Sequence, residues 1–270
     1  MTSRRVERRA AGAGGAAETL DDAVAIEEPL EIRVDGETVA ITMRTPGDDA
    51  RLALGFLYGE GIIASLADVG TVAHCGRPGD EGWGNVLDVR SGPGVTLDVE
   101  RVLDSRRWSV TSSACGVCGR RSIADLVERC PRLDGGPRLD ASAIARAIDA
   151  LAASQPNFAR TGGIHAAAAF DAAGALLACH EDVGRHNAVD KTIGALLYAA
   201  RLKDASLLAV SGRSSFEIVQ KAAAARIPIV ASVSAASSLA IDLAESAGLT
   251  LAGFVRGGSL NVYTHPERLL

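Results

Sequence analysis

LLAVSGRSSFEIVQKAAAARIPIVASVSAASSLAIDLAESAGLTLAGFV, residues 207–255, is the stretch that decides the fold class. Three short apolar runs, 207–210, 229–233 and 251–255, alternate with two segments of helical period, 215–225 and 237–247. Strand, loop and helix repeated in this way predict parallel strands covered by helices and joined by right-handed crossovers. The same alternation begins upstream, with strands expected at 166–170 and 175–179 and a helix over 186–201. With further helices expected at 122–128 and 142–153, residues 122–270 read as an α/β domain with a largely parallel sheet.

Toward the N-terminus the period changes from 3.6 to two. Residues 30–34 alternate apolar and polar, Asp35-Gly36 supplies a hairpin turn, and 39–43 return as the second strand. Pro46-Gly47-Asp48-Asp49 then predicts a capped helix to about Tyr58, ended by Gly59-Glu60-Gly61. Strands near 85–90 and 95–99 complete a small α+β unit over 25–108, and the Ala/Gly/Arg-rich residues 1–24 read as a flexible tail.

An open sheet of parallel strands concentrates ligand sites at its carboxyl edge. Three loops fall there: EDVGRHN at 181–187, SGRSS at 211–215 and SVSAASS at 232–238. Each puts Gly or hydroxyl residues at a helix N-terminus, where free amides and the helix dipole favour anions, phosphate above all. Arg185, Arg213 and Ser214 are the matching candidates; ordinary capping by Ser and Asp is the competing explanation for any one loop. His186 stands among Asp182, Arg185, Asp190 and Lys191, a charge density suited to a perturbed imidazole. His165, in the apolar run GIHAA, reads more simply as a core residue.

The 270 residues, 47% of them hydrophobic, suffice for a buried core. A net charge of -5 argues against a general DNA or RNA binder. Five sparse cysteines do not form a disulfide framework and point to a reducing compartment, the cytoplasm. No apolar run approaches the ~18 residues of a membrane span.

Residues 111–121, TSSACGVCGRR, carry the reactive chemistry. Neighbouring cations lower a thiol pKa from ~8.5 into the range of about 3.5–7.5, where the nucleophilic thiolate dominates. The Cys115–Cys118 pair lacks a second pair at zinc-site spacing, and its Gly-Val spacer is unlike a thioredoxin-type redox loop. A thiol that carries a group is the preferred reading, with zinc and dithiol redox as the alternatives.

Five segments in order then resemble one family: SACGVCG at 113–119, TGGIH at 161–165, EDVGRHNAVDK at 181–191, SGRSSFE at 211–217, and GFVRG at 253–257 with NVY at 261–263. The chain is similar, from about Glu28 to Leu269, to the formate dehydrogenase accessory sulfurtransferases of the FdhD/NarQ family. The resemblance implies a sulfur carrier that takes persulfide sulfur from a cysteine desulfurase. That sulfur goes to the molybdenum of a bis(molybdopterin guanine dinucleotide) cofactor before the cofactor enters formate dehydrogenase. Cys115 matches the persulfide-bearing cysteine and Cys118 its neighbour, and Phe254, Val255, Arg256, Gly257, Gly258 and Ser259 match the cofactor-binding stretch. It further implies a cytidine-deaminase-like C-terminal domain, a homodimer, and GDP as an analogue of the nucleotide ends. Deamination itself is not expected, because Ala167 stands where the deaminase His-x-Glu needs its Glu. A non-catalytic cofactor-binding chaperone with structural cysteines is the alternative.

Overall fold

A computed structural model describes residues 1–11, 16–80, 82–99 and 132–270. Its largest sheet is built on the two runs LLAV and IVAS, β9 (Leu207–Val210) and β10 (Ile229–Ser232), every residue of which is buried. Strands apolar on both faces need cover on both sides, and helices supply it. With β7 (His165–Phe170), β8 (Leu176–Asp182), β11 (Thr250–Arg256) and β12 (Ser259–Thr264), the order is β12-β11-β10-β9-β7-β8.

The parallel pairing predicted for this sheet holds where a helix makes the connection, between β9 and β10 and between β10 and β11. Its flanks are antiparallel, because tight turns at 171–175 and Gly257-Gly258 join β7 to β8 and β11 to β12, and a tight turn can only reverse the chain. The helices α4 (Arg185–Tyr198), α5 (Phe216–Ala224) and α6 (Ser238–Ala247) pack on one face against Ala167, Ala169, Leu208, Val210, Val230 and Leu251. On the other face α2 (Ala141–Ala153) presents Ile144, Ala147, Ile148 and Leu151 to Ala166, Ala168, Phe170, Ala209 and Ile229. A short α3 (Pro156–Thr161) follows it. The helix expected at 122–128 lies outside the described residues.

The N-terminal unit has a four-stranded sheet in the order β4-β3-β6-β5, from β3 (Glu28–Val34), β4 (Glu37–Arg44), β5 (Val69–His74) and β6 (Val86–Ser91). Asp35 and Gly36 both have positive φ, the backbone that a two-residue hairpin turn requires. The residues 95–99, expected as a strand, are irregular, and β5 takes that place beside β6. β5 was hidden because its TVAH pattern is partly exposed and lacks a clear apolar face. Residues expected as a flexible tail instead form an antiparallel ribbon, β1 (Thr2–Arg9) with β2 (Ala17–Val24). Its register sets Arg4 opposite Asp22, Arg5 opposite Asp21 and Arg8 opposite Glu18, cross-strand charge pairs that composition alone conceals.

Helix α1 (Asp49–Gly59) is not capped as predicted: Asp48 makes no cap hydrogen bond, and Asp49 is buried in a bidentate ion pair with Arg44 at 3.0 and 3.1 Å. The Arg44 guanidinium also donates to the Gly84 carbonyl, and His74 approaches Asp49 at 3.4 Å. On its other side α1 meets α4 at backbone contact. A Cβ on Gly55 would stand 1.9 Å from the Asp190 carbonyl, and one on Gly194 1.9 Å from that of Arg51. Only glycine permits this approach, so the two helices, and with them the two units, are held in one register.

Candidate functional site at the carboxyl edge of the sheet

The topology gathers the sequence candidates on one edge. His165 opens β7 and pairs with Asp182 at the end of β8, while the antiparallel β7–β9 pairing sets Ala167 beside Val210 at the end of β9. The loops beyond β9 and β10 are knitted together: Ser214 N donates to Ala235 O and Ser237 N to Ser214 O, each at 3.1 Å. Phe254 N donates to Ser234 O at 3.0 Å, bringing the β11–β12 hairpin onto the same surface. Gly212 lies against the His165 ring and the Arg185 side chain, so a side chain at that position would press on both.

Two donors here are buried without a partner, the Ser214 hydroxyl and Arg185 Nε, and Ser214 is fully buried. Such an orphan costs about 1–3 kcal/mol, which a ligand accepting those hydrogen bonds offsets. Capping does not explain the loops either. Among the three helix starts only Ser237 accepts a hydrogen bond from its helix, from Ala240 N at 3.4 Å, whereas α4 and α5 begin without side-chain caps. The dipoles of those two helices, with Arg185 beside them, are of the sign that favours an anion. The donor set fits the phosphates of a nucleotide.

His186 Nε2 lies 2.7 Å from a Glu217 carboxylate oxygen and 3.1 Å from Ser215 Oγ. Burial, followed by the charges of Arg185 and His186, holds the His165 pKa below its ordinary value, so this ring is neutral at neutral pH. Arg213 is exposed on the loop between them. Glu217, part of the SGRSSFE segment, was not anticipated as the carboxylate partner of His186.

The other charges of EDVGRHNAVDK serve the fold. Asp182 is paired with Lys191 at 2.7 Å, and Asp190 with Lys221 at 2.6 Å, in the interior. Burial pushes the Asp190 carboxyl up to about 6; on Lys221 burial is outweighed by Asp190, Glu60 and Glu217 together, and its pKa is raised. Glu181 accepts the Asn157 and Phe158 amides at the start of α3. The charge density around His186 is thus largely spent on pairs within the fold, which a sequence does not reveal.

The stretch Phe254–Ser259 also divides. Val255 is 1% exposed and packs in the core beneath the sheet, whereas Arg256, Gly257, Gly258 and Ser259 are exposed on the hairpin. Phe254 has φ 52, a strained backbone for an aromatic residue, and its ring lies under the Arg256 guanidinium at 5.6 Å. Cys115 and Cys118 lie outside the described residues. Of the two free cysteines among those described, Cys179 has its thiol pushed up to about 11 by burial and then Glu181, which makes it a poor nucleophile. Among the described residues no helix is long and apolar enough to cross a membrane.

Comparison with known proteins places this edge in context. A protein of Anaeromyxobacter dehalogenans strain 2CP-C named sulfur carrier protein FdhD is 58% identical, covering 98% of this chain and 97% of its own. A Mycobacterium tuberculosis protein of the same name is 49% identical over 93% of each. A crystal structure from Desulfotalea psychrophila, provisionally described as a formate dehydrogenase accessory protein, superposes with a TM-score of 0.75 at 27% identity, covering 99% of both chains. The FdhD/NarQ family model matches residues 25–270, which includes every element that builds the edge, and the chain belongs to that family.

Proposed function

We propose that the chain is a sulfur carrier serving formate dehydrogenase, and that the carboxyl edge of its main sheet holds the nucleotide ends of the cofactor that receives the sulfur. The observation that carries the binding half is the pair of buried, unpartnered donors on Ser214 and Arg185 beside two uncapped helix N-termini. The sulfur half is supported by the named relatives and by the segment SACGVCGRR. The acceptor is a molybdenum cofactor carrying guanine dinucleotides, a polyanion that suits such an edge.

In this reading the Cys115 thiolate attacks the outer sulfur of a cysteine desulfurase persulfide. The S–S bond breaks, the desulfurase thiolate leaves, and Cys115 carries the persulfide with no net oxidation. Delivery follows by one of two routes. Cys118 attacks the inner sulfur, expelling hydrosulfide and leaving a Cys115–Cys118 disulfide for a dithiol reductant, or it only holds the persulfide in place. Either chemistry requires reduced thiols, which suits the cytoplasm, and the working unit in this reading is a homodimer.

Intact mass after incubation with a desulfurase and cysteine tests the assignment. Wild type should gain sulfur and Cys115→Ala should not. If Cys115→Ala supports formate dehydrogenase maturation at the wild-type level, sulfur carriage fails and a cofactor-binding chaperone takes its place.

A further inference from the structure

We infer that the turn between β4 and α1 is the positioning element of the anion site: Thr45, together with the Met43 carbonyl, aims Arg185 by pinning the loop on both sides of it. This rests on the reading of Arg185 and Ser214 as phosphate ligands. Upstream of Arg185, Val183 N donates to Thr45 Oγ1 at 3.1 Å, and Thr45 N donates to Asp182 Oδ2 at 3.2 Å. Asp182 Oδ1 in turn accepts from Gly184 N at 2.8 Å and from Asn187 Nδ2 at 2.9 Å. Downstream, Asn187 Nδ2 donates to Met43 O at 2.7 Å, Thr42 Oγ1 donates to Asn187 Oδ1 at 3.2 Å, and Lys191 Nζ donates to Thr45 O at 2.8 Å.

No buried side-chain polar atom of this seam lacks a partner, while Arg185 between the two anchors keeps Nε without one. The asymmetry separates a frame from a ligand-binding side chain. A Cβ on Gly184 would meet Asn187 Nδ2 at 2.8 Å and displace that side chain from the seam, and the Gly55 and Gly194 contacts stop α4 from sliding along α1. A binding group held by a fully bonded support keeps its orientation without a penalty at the moment of binding. The small N-terminal unit therefore contributes to nucleotide affinity without touching the nucleotide.

The test is a double-mutant cycle in the full chain, with GDP affinity measured by titration calorimetry for wild type, Thr45→Val, Arg185→Ala and the double variant. Thr45→Val keeps shape and removes Oγ1. It should weaken GDP about tenfold in the wild-type background and by much less when Arg185 is absent, a coupling of the size seen between contacting residues. Thr45→Ser should restore affinity. Unchanged GDP binding in Thr45→Val, or equal weakening in both backgrounds, overturns positioning while leaving the anion site standing. Unchanged binding in Arg185→Ala overturns the anion site and the positioning role together. Should Thr45→Val lose its native far-UV spectrum, the same cycle with Asn187→Ser carries the decision.

Discussion

The carboxyl edge of the main sheet and the seam beneath it are built from neighbouring residues and obey opposite rules. In the seam, Asp182, Asn187, Lys191 and Thr45 engage one another. At the edge, the Ser214 hydroxyl and Arg185 Nε are buried with no protein partner. Polar groups that bond to each other raise stability, and polar groups left open lower it in exchange for affinity. Substitutions in the two regions should therefore differ in sign as well as in size.

The largest effect is expected in the seam. Lys191→Met strips the cation from Asp182, which is completely buried, and breaking such a pair costs about 3–5 kcal/mol. For a chain of this size the melting temperature should drop by on the order of 10 °C. A drop of only a degree or two would show that the remaining amide bonds to Asp182 suffice, and the contrast would weaken.

Ligand binding should act on the edge. GDP at about a hundred times its dissociation constant should stabilise the fold by about 2.7 kcal/mol. The rise in melting temperature should shrink in Arg213→Ala, whose exposed side chain contributes little to the fold. No shift at millimolar GDP would leave the edge without its proposed ligand.

Ser214→Ala is the sharper comparison because its two readouts diverge. Removing an unpartnered buried hydroxyl should leave the free chain as stable or more stable, by about 1 kcal/mol at most, while GDP binding weakens. Parallel losses of stability and affinity would mean that Ser214 belongs to the frame.

The smallest effect is the pH response of His165. Its pKa in the folded chain lies below the ordinary 6.5, so its contribution to stability is present above that value and is lost as pH falls through the folded-state pKa. Between about pH 7.5 and about pH 5.5, wild type should lose more melting temperature than His165→Asn. The difference between the two profiles removes the titration of Asp190, which both share. Identical profiles would show that the ring is freely solvated in the folded chain.

How much of this was legible beforehand follows from the range of each interaction. The hairpin at Asp35-Gly36 and the helix-linked strands β9, β10 and β11 were readable, since turn residues and hydrophobic period act over a few positions. The antiparallel flanks were not, because the same apolar runs pair in either direction and only the connection decides. The β1–β2 ribbon escaped notice because its support is charge pairing across the register. The site was half legible: the three loops announced themselves by Gly, Ser and Arg at helix starts, but Val255 looked like part of a ligand stretch and is core.

The order of the five family segments determined family membership, and local periodicity determined the α/β class and the edge on which the loops meet. Which charges in EDVGRHNAVDK pair within the protein was decided only by the tertiary structure. Asp182 and Lys191 neutralise each other, and they and Asn187 are further tied to residues 43–45, 137 or more positions away, whereas Arg185 keeps Nε without a partner. A charge looks the same in sequence whether it is neutralised by a distant neighbour or left free. Only the packing of α1 against α4, at two glycines, brings those neighbours close enough to settle the difference.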